Sequence, residues 1–184
     1  MMNLLSDYTI NQETVLLTGE YNENGKLCTR VIEGEDTFLV DMKPIDVINK
    51  TLLGLGSNFN AGRKSSREIL GDIYMCPIKI NCNLGIWLFP TKSYNNEFCV
   101  WFSLTHVKKT KAVGIRKTEV YLSYNHTFVI NMKESKFNQR KQAAKDLRYE
   151  MTKNSQGILT FYVEPKKGLM IRESEGINRY RIRK

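Results

Sequence analysis

Histidine is nearly absent from this chain of 184 residues: His106 and His126 are the two present. No HExxH helix, nucleophile elbow or dinucleotide-binding glycine fingerprint occurs either. Hydrolytic and redox chemistries therefore lack their usual carriers. Cysteine is sparse as well, with Cys28, Cys76, Cys82 and Cys99 irregularly spaced. Zinc sites ordinarily bring tight pairs such as C-x2-C. Here five residues separate Cys76 from Cys82, and six separate Cys99 from His106. That spacing argues against a metal site, and nothing around Cys99 or His106 supports a nucleophilic pair. Few, scattered cysteines suit a reducing cytoplasm. Long apolar runs are missing too. The uncharged stretches Thr51 to Gly62 and Ile80 to Thr91 are about twelve residues long, against about twenty needed to span a bilayer. The N-terminus shows no basic region followed by an apolar stretch, so no secretory signal is expected. No internal repeat or low-complexity tract appears. These absences predict a cytoplasmic protein that is not an enzyme, with no catalytic residue, metal, cofactor or membrane association.

What is present is positive charge in an uneven distribution. The chain carries a net charge of +9. Residues 1–60 have a balance of −5, whereas residues 61–184 have a balance of +14. Solubility alone needs no such asymmetry, and a basic excess confined to part of a chain suggests a polyanionic partner. The composition, 41% hydrophobic and 26% charged, is rich enough in apolar residues for a chain of this length to bury a core without disulfides.

The patterning predicts an α+β fold, a single domain of mostly antiparallel strands. Two short helices are expected in the first half and one long basic helix near the C-terminus. The expected domain covers residues 1–165, and residues 166–184 read as a basic, flexible tail. In the acidic first forty residues, Val15-Leu16-Leu17 runs into Asn24-Gly25, a strong hairpin signal. Leu27 to Ile32 returns, Gly34 turns again, and Phe38-Leu39-Val40 makes a third strand. Pro44 suits a helix start, Ile45, Ile48 and Leu52 recur at helical spacing, and Gly54 closes the helix. A loop from Gly54 to Gly62 and a short helix at Ser65 to Leu70 are expected next. Strands are predicted at Ile78 to Ile80, Ile86 to Phe89, Phe98 to Leu104, Glu119 to Tyr124 and Thr127 to Ile130. Turns fall at Asn95-Asn96 and Asn125-His126. The long helix is placed at Lys133 to Lys153, capped by Asn131 and Glu134, with a narrow apolar seam of Phe137, Ala144, Leu147 and Met151. Ile158 to Val163 reads as a last strand.

Three groups of cations carry the binding signal. The stretch from Gly56 to Gly62 superficially resembles a phosphate loop. However, five residues rather than four separate the glycines, and Arg63 interrupts the Gly-Lys pair. What is left is a loop whose amides, beside Arg63, Lys64 and Arg67, suit a DNA phosphate. The segment from His106 to Lys117 holds Lys108, Lys109, Lys111, Arg116 and Lys117 with no acid. It reads as a flexible basic arm able to follow phosphates or reach a narrow minor groove. The long helix adds Arg140, Lys141 and Lys145. Strands on both sides of it argue against a helix-turn-helix.

Several short segments come in a particular order: Asp41-Met42-Lys43-Pro44, Ala61-Gly62-Arg63-Lys64, Leu88-Phe89-Pro90-Thr91, Cys99 with Trp101 and Ser103, and His106-Val107-Lys108. In that order, and over roughly residues 25 to 150, the chain resembles the competence transcription factor (ComK) family. The resemblance implies a nucleoid-associated activator of genes for DNA uptake and recombination. Such an activator binds paired A·T-rich boxes of double-stranded DNA through the minor groove, as dimers pairing on the DNA, and acts on RNA polymerase indirectly. The resemblance further implies capture by an adaptor of the Clp protease. The nearest candidate for that capture is Phe161, Tyr162, Val163 and Pro165, where Glu164 breaks the apolar run. The charge pattern alone leaves an alternative, a general RNA or DNA binder without operator selectivity.

Overall fold

The computed structural model describes residues 4–156 and the backbone of two further strands. Chain order begins with β1 (Leu4–Leu5), β2 (Thr14–Tyr21), β3 (Leu27–Glu33) and β4 (Asp36–Val40). Two helices follow, α1 (Pro44–Gly54) and α2 (Phe59–Leu70). Then come β5 (Ile78–Asn81), β6 (Ile86–Pro90), β7 (Val100–Ser103), β8 (Val107–Val113), β9 (Lys117–Leu122) and β10 (Thr127–Ile130). The helix α3 (Glu134–Gln156) ends this run. Residues 1–154 form one compact unit and residues 155–184 another. Within the second unit, β11 (Leu169–Arg172) and β12 (Arg179–Ile182) pair antiparallel. The expected strand at Ile158 to Val163 and the expected adaptor segment at Phe161, Tyr162, Val163 and Pro165 lie outside the described residues. Among the described residues, no helix is long and apolar enough to cross a membrane.

Seven strands form one sheet in the order β1-β4-β3-β2-β7-β6-β5, antiparallel except for the β1–β4 pair. A second sheet has the order β10-β9-β8, so β8 lies at its edge. Strand alternation sends successive side chains to opposite faces. Leu17, Leu88 and Trp101 therefore join one buried cluster with Val47, Ile48 and Leu52 of α1 and Phe59 of α2. Their neighbours Leu16, Trp87, Phe89, Val100 and Phe102 join another with Val120, Leu122 and Ile130 of the small sheet and Phe137, Ala144 and Leu147 of α3. The large sheet is thus a shared wall with α1 on one side and the small sheet plus α3 on the other. Phe137 makes edge contacts with Phe89 and Phe102, at ring separations of 5.5 and 5.3 Å, which seats α3 on the wall.

The α+β class, the early meander and the Pro44–Gly54 helix agree with the sequence reading. The second helix differs: it begins at Phe59, not Ser65, and absorbs much of the expected loop. Asn58 caps it by accepting from the Ala61 amide at 2.9 Å, and buried Phe59 pins its first turn to the core. The basic segment at 106–117 differs more. A short 3-10 turn, Leu104–His106, leads into β8, which pairs with β9 through a tight turn. The expected flexible arm is a hairpin, because alternate residues of β9 are buried and hold the register. Glu134, expected to cap α3 together with Asn131, accepts from the Thr110 hydroxyl at 2.6 Å. It ties the helix to the hairpin.

Candidate nucleic-acid interface

The β8–β9 register sorts the hairpin's side chains. Thr110 faces Val120 and Ala112 faces Thr118, and both Thr118 and Val120 are buried. The intervening rungs, Lys109 with Tyr121, Lys111 with Glu119 and Val113 with Lys117, occupy the other face. Lys109, Lys111 and Lys117 are exposed there. A register shift between Val107 and Lys109 leaves Lys108 exposed as well. Glu119, the one carboxylate between residues 106 and 122, accepts a 2.8 Å hydrogen bond from the Tyr121 hydroxyl. That bond to a carboxylate raises the Tyr121 phenol above its usual value.

The hairpin is anchored at its root. Besides the Thr110–Glu134 bond, Thr118 donates to the Met132 carbonyl at 2.7 Å. The arrangement puts Lys108, Lys109, Lys111, Arg116 and Lys117 on the same side of the large sheet as α3, where Arg140, Lys141 and Lys145 reside. Arg140 and Lys141 are half-buried and Lys145 is exposed. Partial burial lowers the proton affinity of the Arg140 guanidinium. It does the same for the Lys141 ammonium, which the neighbouring Lys145 lowers further while Glu134 opposes. Desolvated cations of this kind gain from an incoming phosphate.

The α2 group sits elsewhere. The Arg63 guanidinium lies over the Tyr94 ring, 4.1 Å from its centroid, and 6.0 Å from that of Phe59, on the α1 side of the large sheet. Arg67 is paired with Asp72, and Lys64 is exposed. A shallow groove collects Asn60, Arg63, Lys64, Arg67, Glu68 and Asp72, a mixture of both signs. The expected loop of free amides is corrected here. Phe59 N–H donates to the Asn49 side chain, Ala61 N–H to Asn58 Oδ1 and Gly62 N–H to the Asn58 carbonyl, so these donors are consumed by the helix start. The cations thus fall on three elements: the β8–β9 hairpin, whose Lys109, Lys111 and Lys117 share the face opposite Thr110, the helix α3, and α2, where Arg63 lies over Tyr94 and Arg67 is paired with Asp72.

Ion pairing divides the chain in the same way as its charge. Among the described residues, the ion pairs join Lys26 to Asp41 at 2.7 Å, Arg30 to Glu20 at 2.6 Å, Lys50 to Asp7, and Arg67 to Asp72. Three of the four are in the acidic first third. Of the sequence-identified cations, Arg67 alone has a carboxylate partner among the described residues.

The residues weighed for other chemistry have structural partners. Cys99 lies in the core with its thiol toward the Lys92 carbonyl at 3.4 Å, and burial pushes its proton affinity up. The His106 Nε2 donates to the Gln12 carbonyl at 2.7 Å. No group of three metal-ligating side chains occurs among the described residues. Sequence reasoning did not single out Tyr94 under Arg63, Tyr121 on Glu119, or Ile115 at the hairpin apex. The first two become visible only through tertiary contact. Ile115 was legible as an apolar residue in a basic run.

The ComK protein family model matches residues 5–156. The chain is 33% identical over 134 residues to the competence transcription factor of Bacillus subtilis (strain 168), a match covering 72% of this chain and 69% of that relative. No solved structure matches it. The matched region takes in both sheets and all three helices, and the chain belongs to the ComK protein family.

Proposed function

We propose that this protein is a DNA-binding regulator of competence genes that recognises paired A·T-rich boxes through the minor groove. The observation that carries the reading is the set of cations on the hairpin and on α3 without a salt-bridge partner among the described residues. Lys109, Lys111 and Lys117 share one face of an anchored hairpin, and Arg140, Lys141 and Lys145 lie on the adjoining helix. Such cations serve phosphates, which supply affinity without sequence information. Selectivity comes from shape: A·T tracts narrow the minor groove and deepen its negative potential, which favours inserted arginine. Arg116, at the exposed hairpin end, is the arginine best presented for that role. The relative's name supplies the competence context and the role of transcription factor; activation of those genes belongs to the proposal. Dimers pairing on adjacent boxes, an indirect effect on RNA polymerase and delivery to a Clp protease by an adaptor belong to the same proposal. So do a cytoplasmic, nucleoid-associated location and the absence of enzymatic activity.

The test is a binding series on paired A·T boxes and on a G·C-rich duplex across several salt concentrations, with a minor-groove ligand as competitor. With about six phosphates neutralised, log K is expected to fall with log salt at a slope of roughly −5. The A·T duplex is preferred at every salt, and the groove ligand displaces the protein. Equal competition by RNA or by the G·C duplex would instead indicate a general nucleic-acid binder.

A further inference from the structure

Ile115 stands at the apex of the β8–β9 hairpin and is 83% exposed. Turn apices favour Gly, Asn, Asp and Ser, each for a backbone reason. Gly114, at φ 70°, already supplies the left-handed residue of this turn. The core has no use for Ile115 either, since every residue from Lys111 to Lys117 is exposed and the hairpin end stands clear of the body. Val113, 43% exposed, adds an apolar shoulder one rung below. The ribbon behind this tip is firm: β9 is paired on both sides, by β8 and β10. Its root is fastened by the Thr110–Glu134 and Thr118–Met132 hydrogen bonds. An apolar point is thus presented on a braced support, with Lys111, Arg116 and Lys117 around it.

We propose that Ile115 is an apolar wedge that enters a base step of the A·T-rich minor groove and kinks the duplex. Arg116 then lies in the narrowed groove beside that step, and Lys117 is held at a flanking phosphate. The inference rests on the DNA-binding reading of the same hairpin. Isoleucine is among the side chains suited to this use: inserted between bases it partly unstacks a step and bends the duplex toward the major groove. The apolar side chain leaves water only on insertion, so its contribution exists only in the bound state. Flexible steps such as TA yield most readily, which adds selectivity without any hydrogen bond to a base edge.

The experiment uses the full chain and a duplex carrying paired A·T boxes, labelled at both ends, with the end-to-end distance read by fluorescence energy transfer at fixed salt. The parent is expected to bend the duplex by roughly 20–90°. Ile115→Thr keeps the β-branch but places a hydroxyl at the tip. It is expected to lose most of the bend and about ten-fold in A·T affinity, the size of one lost base-pair preference. Its binding to the G·C-rich duplex stays at the parent level. Ile115→Met retains the bend, and thermal unfolding of both variants matches the parent because the site is exposed. A parent that prefers A·T boxes without bending them, or an Ile115→Thr protein that bends and binds as the parent does, overturns the wedge and leaves the DNA reading standing. A parent with no A·T preference overturns both.

Discussion

Gly19 illustrates how one side chain, or its absence, is set by tertiary packing. A Cβ added there would lie 1.9 Å from the Glu97 carbonyl oxygen, which belongs to the connection before β7. The glycine lets that backbone close over β2. Gly19→Ala is expected to cost about 2 kcal/mol or more, since relief requires a backbone shift. Urea unfolding at neutral pH measures it, and a change within about 0.5 kcal/mol would mean that the 97 segment moves freely. The cysteines make a second case at this scale. Cys28, Cys76 and Cys99 are buried and Cys82 is exposed, and burial raises the first three thiols. The thiolate is the reactive form. A thiol reagent at neutral pH is therefore expected to label Cys82 in the folded protein, and the other three only after denaturant is added. Peptide mapping of the labelled sites checks the order.

At the scale of elements, the acidic meander is held by its own cations. Glu20 on β2 pairs with half-buried Arg30 on β3, and the hydrogen bond from Arg30 holds its carboxyl below the ordinary value of 4.5. A carboxyl lowered on folding contributes stability that is present above about pH 4.5 and is lost as pH falls through the lowered folded value. The pair is partly solvated, so its worth is about 0.5 kcal/mol. Glu20→Gln should be less stable than the parent by about that amount at pH 7, with the difference shrinking toward zero as pH falls through the lowered carboxyl value. Unfolding curves at several pH values decide it, and a gap that widens in acid would contradict the pairing. The helices show how local signals compete. Pro44 and Gly54 bounded α1 correctly from sequence, because proline fixes φ and lacks the N–H that a first turn leaves unpaired, whereas glycine is a poor helix former. In α2 the glycines at 54, 56 and 62 suggested a loop, yet Asn58 and buried Phe59 started the helix earlier. Gly62 is tolerated inside it, where an added Cβ would meet the Ile78 side chain at 3.4 Å.

At the scale of the molecule, the cations belong to separate elements. Arg63 lies over Tyr94 and Phe59, which pack in the cluster that holds α1, and the hairpin and α3 pack through Val120 and Phe137 in the other cluster. Side chains on separate elements that share no partner contribute independently. The loss of A·T-duplex affinity in Arg63→Ala, Lys64→Ala and that in Lys109→Ala, Lys111→Ala are therefore expected to multiply, within about two-fold, when the four changes are combined. Titrations of the three proteins at one salt concentration test this. A combined loss far below the product would place both groups on one run of phosphates. The salt slope should also shrink by roughly 0.9 for each phosphate contact removed from the hairpin.

Charge, composition and ordered short segments in the sequence were enough to indicate an α+β protein of this family with a basic remainder behind an acidic first third. Those features are local or additive, and they survive without knowledge of contacts. Which element each cation stands on, and which face of it, was decided by the tertiary structure alone. The segment at 106–117 carries no periodic apolar pattern and reads as an arm, but pairing with β9 makes it a ribbon. The buried side of β9 and the Thr110–Glu134 bond then fix that ribbon against α3. Arg67 reads as a free cation until the chain returns Asp72 to it. The first outcome is invisible in linear spacing, because its partners meet only when the two buried clusters form on either side of the sheet; the second is local, since Asp72 follows the end of α2 five residues after Arg67.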